Sequence, residues 1–576
     1  MTKLLSKCKL LIFPFFLFCA KSATSQEINL EHVKENIKQA KLLTTSGGIN
    51  FNTFSYNGSN LANRNPFTWQ LIGNVNFRVA NLIDLPVTFN FTNLSHQYKL
   101  PISPSRIGIH PTYKGFKAHL GDVNMVFSPY TLNAHQFTGA GFDYQPLKSK
   151  FNFSLMTGRM QKAVNYEYGN QNIVPAYQRF GYGFRVGFND KLASVHLNFF
   201  SAKDKINSVS TPLDSIGIKP LQNAVGSISA AFRPAKFVEL SIESAVSAMT
   251  EDLRNSEDKI NRSLYLVGNL IHSNNTTTIH NATNAKLKFN IKNAVLGIGY
   301  EKIDPGFRTL GAYFFANDLT NYTLLFAKPL FKNKLSINTN FGLQYDNLDN
   351  NKANTNSRFV GLFNINFSPN EKFILSANYS NFRTYMRIKS QFLFINQINQ
   401  LQTLDTFNFT QITDNVNVFV MQQVHKNAKN AQYINANFSF QNAQVIQKTN
   451  ESGSNKSIFY NFNCAYTYNY LPSNYTVTTS YNLSLNDLND QSIITQGPIL
   501  SLDKKSKNKN LGFGTSISYN KSTSSNGIIA ATDIYNFRFY FNYLLLKKHN
   551  FRLSTGYQNF NHQSNWLINA GYGLRF

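Results

Sequence analysis

"NWLINAGYGLRF", Asn565 to Phe576, ends the chain and decides how the rest of it reads. Counted back by twos, Phe576, Leu574, Tyr572, Ala570, Ile568 and Trp566 are apolar. The interleaved Arg575, Gly573, Gly571, Asn569 and Asn565 are polar or small, with Leu567 the exception. Such a period of two describes a strand with one apolar and one wet face. Chain ends ordinarily fray, so an aromatic ring at the last position raises the question of whether the apolar face meets a protein core or lipid.

The same alternation recurs upstream. Leu335, Ile337, Phe341, Leu343 and Tyr345 alternate with Ser336, Asn338, Asn340, Gly342 and Gln344. Ile458, Tyr460, Phe462, Tyr466 and Tyr468 alternate with Asn461, Asn463, Ala465, Thr467 and Asn469, and Phe537, Phe539, Phe541 and Tyr543 with Asn536, Arg538, Tyr540 and Asn542. Each run has the length a tilted strand needs to cross a hydrocarbon layer. The polar set suits a hydrated lumen, and the Phe- and Tyr-rich set suits lipid with aromatic girdles at its edges. Half of every strand facing water also accounts for a mean hydropathy of −0.28.

Connections alternate in length. Pro146–Lys150, Asn189–Lys191, Pro234–Lys236, Lys332–Lys334, Pro369–Lys372 and Lys547–Asn550 are short. Between them lie longer polar segments: Lys203–Gln222, Glu251–Ala285, Asp346–Ser357, Tyr385–Thr413, Val445–Lys456 and Ser522–Asp533. Short turns on one side and long loops on the other are the asymmetry of outer-membrane barrels, with short turns periplasmic. The expectation is an all-β antiparallel transmembrane β-barrel of roughly 18–22 strands, at about 25–30 residues per strand and connection.

At the other end, Lys3, Lys7 and Lys9 precede the apolar run Leu10–Ala20 and then "KSATSQ". This pattern predicts a signal peptide over residues 1–25, cut after Ser25, and hence an exported protein. Residues 26–46 read as a short amphipathic helical segment in the periplasm or lumen, and 47–576 as the barrel. The cut lowers the formal charge from +27 to +23, through the loss of four lysines and no acids, and leaves Cys464 as the one cysteine. A single cysteine forms no internal disulfide and no Cys/His zinc pattern exists. Export and scattered bases exclude nucleic acid as a partner, leaving anionic lipid headgroups, lipopolysaccharide or small anionic solutes. The segment 26–46 is far too short to be the folded plug of a TonB-dependent receptor.

Three stretches are dense in Gly, aromatic and charged residues: Ser103–Pro146, Pro175–Phe188 and Tyr300–Leu324. The first contains His110, His119, His135 and Asp122, whose spacing does not build a compact metal site. Lys117 and His119 share the polar face of one strand and so point to the lumen. With Arg106, Lys114, Asp122 and Arg159 they are the candidate lumen or constriction residues, a basic patch that would favour anions unless the residues pair with Asp122, Asp143 or loop carbonyls. Asp304–Gly306 followed by Arg308 reads as a turn in an interrupted strand, where a bulge or an inward fold fits. No G-x-S-x-G elbow or other catalytic motif is present, and no cofactor is implied. All three stretches resemble a family of outer-membrane β-barrels from Bacteroidetes-type bacteria to which no activity is attached; the resemblance covers most of the chain after residue 25 and implies fold and location alone. Trp566, Tyr572, Leu574 and Phe576 resemble the C-terminal signal that barrel-assembly machinery recognises in that class. The expected function is a porin-like channel for small, anionic solutes in the outer membrane. The alternative is a plugged barrel, structural or secretion-associated, that binds partner proteins through its long loops.

Overall fold

The computed structural model describes residues 43–576 except 59–64, 95–97, 147–148, 171, 256–270, 272, 314, 352–356, 382–409, 447–455, 489–490, 525–530 and 561–562. The signal peptide and most of the helical segment expected over 26–46 therefore lie outside the described residues. Leu43–Ser46 do not belong to such a segment. They start the first strand, Leu43–Gly58, with Leu43 opposite Val79.

Twenty-seven strand segments follow one another in antiparallel register. Arg106–Ile109 and Thr112–Tyr113 share both neighbours, Ile83–Thr92 and Phe116–Val126, and act as one broken strand, which makes a 26-strand barrel. It closes where the last strand, Gln563–Arg575, pairs with the first from Gly48↔Arg575 to Gly58↔Asn565. Phe576 completes the seam: its N–H donates to the Gly47 carbonyl (3.1 Å) and its own carbonyl accepts from the Gly47 N–H (2.9 Å). Closure leaves neither the first nor the last strand with a free edge. The roughly 18–22 strands expected from length were too few, because most connections on one rim are turns of two to five residues and each strand with its connection uses fewer residues than assumed.

The outward faces carry the apolar set. Tyr460, Phe462 and Tyr466, Tyr535 and Phe537, and Trp566 and Ile568 are exposed large side chains, and the free Cys464 shares that outer face. The opposite faces of the strands after Leu335 are mostly Asn, Ser, Thr and Gly; Asn338, Asn364, Asn378 and Asn417 lie side by side in register. The short turns, with Leu43 and Phe576, form one rim and the long loops the other. Several of these turns need left-handed backbone. Lys114, Lys292, Lys332, Lys509 and Lys547 have φ of 50, 51, 56, 56 and 58°, a conformation that costs a residue with a Cβ about 1–2 kcal/mol.

Two segments leave the wall and fold inward. The upper halves of Phe116–Val126 and Asn133–Tyr144, with the turn Phe127–Leu132 between them, bend into the lumen at Gly121, whose φ of 94° suits glycine. The connection Asp304–Asp318 follows them inward. These are the places where alternation fails in the sequence.

Candidate functional site

The infolded hairpin packs against the inner wall through Val123, Met125, Phe127, Leu132 and Phe137, which meet Met156, Met160, Phe200 and Ala202 of the strands Phe151–Gln161 and Ala193–Lys205. The wall makes room where it lacks side chains. A Cβ on Gly158 would stand 2.8 Å from the Phe137 ring, and one on Gly183 3.0 Å from the Phe127 ring. The connection Asp304–Asp318 packs beside it: Tyr130, Phe307, Val225, Ala245, Ala282, Ile303 and Leu319 form a second buried cluster. Hydrogen bonds lock hairpin and connection together. The Asn133 N–H donates to the Gly311 carbonyl (2.8 Å), Thr309 Oγ1 donates to the Thr131 carbonyl (2.7 Å), and the Gln136 N–H donates to the Tyr313 hydroxyl (3.0 Å). Residues of all three dense sequence stretches thus meet at one place inside the barrel.

A belt of polar side chains runs across the wall beneath them. Lys117, Asp143, Ser154, Arg185, Asn198 and Ser227 stand opposite one another on successive strands. The Ser227 hydroxyl passes the line diagonally to Glu243 (3.0 Å), and Asn284, Glu301, Asn321, Gln344 and Arg358 continue it. Asn321 Nδ2 donates to Glu301 (2.9 Å), Gln344 Nε2 to Asn321 (2.7 Å) and Arg358 Nε to Gln344 (2.6 Å). The hairpin turn sits on this belt: Tyr130 Oη donates to Glu301 Oε1 (2.8 Å), and Ser128 Oγ lies 3.4 Å from Ser227 Oγ. Burial first, and the Glu301 carboxylate second, push the Tyr130 phenol well above its usual range, so it remains a donor.

The candidate residues separate into three places. Arg106 donates to Gln136 Oε1 (3.2 Å), and Asp122 accepts from the Ile107 N–H (3.2 Å) and the Thr138 hydroxyl (2.6 Å). Both line a cavity of about 1390 Å³ that reaches from Lys547, Lys548, Arg575 and Phe576 at the short-turn rim to Gln136 and Tyr313 on the infolded segments. Arg159, Asp122 and Gln136 line a smaller, adjoining cavity of about 280 Å³ toward the long loops. Lys117 and His119 lie on the belt instead. The His119 ring is buried, with Nε2 2.8 Å from Asp143 Oδ2 and Nδ1 3.0 Å from His110 Nδ1. Lys114 is not a lumen residue: it sits in the turn Lys114–Gly115 at the short-turn rim, over the Tyr113 ring, because its short strand ends at Tyr113.

Sequence reading missed Arg538 and Arg552. Arg552 lies opposite Gly571 and donates to Asn50 (3.3 Å) and Asn52 (3.4 Å), and Arg538 shares its inward register. Their signal was present, since both alternate with outward aromatics. Tyr130, Glu301, Arg185 and Glu243 could not be joined into a belt without the register.

At the long-loop rim Arg254 ties two loops together. It donates to both Asp214 oxygens (2.6 Å each) and to Asp252 (2.8 and 2.9 Å). Those hydrogen bonds hold both carboxyls below the usual carboxylate range. A depressed folded pKa stabilises at neutral pH and the contribution is lost as pH falls through that value, below about 4. Pepsin cleavage of the loop around Asp214–Ile216 is therefore expected to rise steeply below about pH 4. In Arg254→Gln it should already be fast at the upper end of the pepsin range; parallel pH profiles for the two proteins would contradict the tie.

No protein-family model and no curated protein matches the chain. Among solved structures it is similar to OccAB3 of Acinetobacter baumannii (11% identity, TM-score 0.28), over 67% of this chain and 99% of that one. It is likewise similar to the P pilus usher PapC translocation pore (10%, 0.35, over 93% and 100%) and to OccK7 of Pseudomonas aeruginosa (9%, 0.29, over 92% and 99%). Likeness at this level does not bear on function, which is read from the chain's own residues.

Proposed function

We propose that the protein is an outer-membrane channel for small hydrophilic solutes, with a preference for anions, that conducts through the part of the lumen its infolded segments leave free. The observation that carries this reading is the cavity of about 1390 Å³ between the short-turn rim and the infolded hairpin, lined by Asn50, Asn74, Asn76, Asn90, Arg106 and Asn550. Neutral amides offer hydrogen bonds to a passing solute without the trapping that a full charge produces. On the inward faces of the strands after Leu335, among the described residues, Arg358, Lys505, Arg538, Arg552 and Arg575 are set against the single carboxylate Asp503, which accepts from Tyr540. That imbalance favours anions. Export through a cleaved signal peptide, the Bacteroidetes-type family resemblance and assembly through Trp566, Tyr572, Leu574 and Phe576 belong to the same reading.

Arg538→Glu with Arg552→Glu is expected to shift the reversal potential in a salt gradient toward cations and to lower the anion-to-cation permeability ratio severalfold, with the barrel still folded. An unchanged reversal potential would remove these residues from the conduction path. The second reading, a barrel closed by its infolded segments and used for partner binding, is favoured by the two buried clusters that anchor them. It predicts no conductance from a folded protein.

A further inference from the structure

The short-turn rim carries a charge pattern beyond the residues that line the cavity. Twelve short turns join the strands there, and ten of them contain a lysine. Six consecutive turns contribute Lys191, Lys236, Lys292, Lys332, Lys372 and Lys429, all exposed. None of these six makes an ion pair among the described residues. Of the acids near this rim, Asp84 is taken by Arg78, Asp190 by Lys150 and Glu239 by Arg233, and Glu371 shares the turn of Lys372. At the long-loop rim, among the described residues, Lys99 pairs with Glu167, Arg308 with Glu251, and Arg254 with Asp214 and Asp252.

Two further features bear on what meets the short-turn rim. Lys292 and Lys332 hold a left-handed backbone, which glycine adopts without steric cost and lysine does not; turn geometry alone does not select lysine there. Large aromatics flank the lysines at the same level, with Phe237 54%, Phe331 70% and Tyr475 44% exposed, and Lys504 Nζ bonds the Tyr475 hydroxyl (2.7 Å). Aromatic rings beside snorkelling cations mark the boundary between hydrocarbon and headgroups.

We infer that the lysine ring binds anionic glycerophospholipid headgroups of the leaflet that meets the short turns. A folded partner protein would engage one sector of the rim or its mouth. The ten lysine-bearing turns, at every second strand and roughly 10–12 Å apart by strand spacing and tilt, instead run around most of the barrel, as lipids do. Each cation is about a Debye length from the next at ordinary salt, so each acts on its own phosphate rather than as one pooled field.

The test is native mass spectrometry of the full-length protein released from nanodiscs that mix phosphatidylcholine with phosphatidylglycerol. The wild type is expected to retain several phosphatidylglycerol molecules, fewer at high salt. The variant carrying Lys→Gln at the six positions should retain severalfold fewer, with phosphatidylcholine retention and single-channel conductance unchanged. Lys292→Gly with Lys332→Gly suits the backbone and should lower retention in a protein at least as stable. Retention equal in wild type and variants would overturn the inference. So would a wild type indifferent to salt, or loss of a co-purifying acidic protein with lipid retention intact. A barrel that retains phosphatidylglycerol but never conducts would leave this inference standing and sink the channel.

Discussion

Phe137→Ala is expected to release the infolded hairpin and raise single-channel conductance. Phe137 is 1% exposed and sits in a cluster with Phe200, Leu132 and Met160. Truncating a buried phenylalanine typically costs about 3–5 kcal/mol. Here that cost falls on the docking of one hairpin rather than on the barrel, whose strands remain paired around the full circumference. The wall bears on the same contact from the other side, since a side chain on Gly158 would strike the Phe137 ring. Gly158→Leu should therefore act like Phe137→Ala. Chymotrypsin, which cuts after the aromatic and leucine residues of Phe127–Leu132, should cleave both variants much faster than the wild type. Unchanged conductance and unchanged cleavage in folded variants would mean that the hairpin is not what narrows the lumen.

Asp204→Ala should produce the other large effect. Arg179 Nε and Nη2 donate to the two Asp204 oxygens at 2.8 and 3.0 Å, and the Leu221 N–H donates to Oδ2 at 2.9 Å. The aspartate side chain is 2% exposed and the arginine 13%. Removing one member of a buried pair leaves the other desolvated and unpaired, a loss of about 3–5 kcal/mol. The loop between Lys205 and Gln222 would lose its attachment as well. The expected result is a lower unfolding temperature together with rapid proteolysis of that loop. Arg179→Met with Asp204→Leu should recover much of the loss, because a well-packed apolar pair often replaces a buried ion pair without penalty. If the single and double variants are equally unstable, the pair owes its effect to the Leu221 bond rather than to charge.

The wall of the barrel was readable residue by residue. In the last strand, Tyr572, Leu574 and Phe576 announce an outer face and Asn565, Asn569 and Arg575 an inner one, because a strand returns each side chain to the same face every second residue. Lys117 and His119 were placed inward by the same count. The interior was not readable. Asp122 and Gln136 fall on the outward count of their strands, yet they line the lumen because the hairpin carrying them turns inward at Gly121. Arg185 and Glu243 lie 58 residues apart, and only the registers of the intervening strands bring them onto one belt. The number of strands depends on connection length, which alternation does not set.

Single-channel recording of the refolded wild type in a planar bilayer, with ion selectivity from reversal potentials, tests the central claim most directly. Steady conductance with anion preference is the predicted result. Silence from a protein shown to be a folded barrel in the same preparation would contradict it.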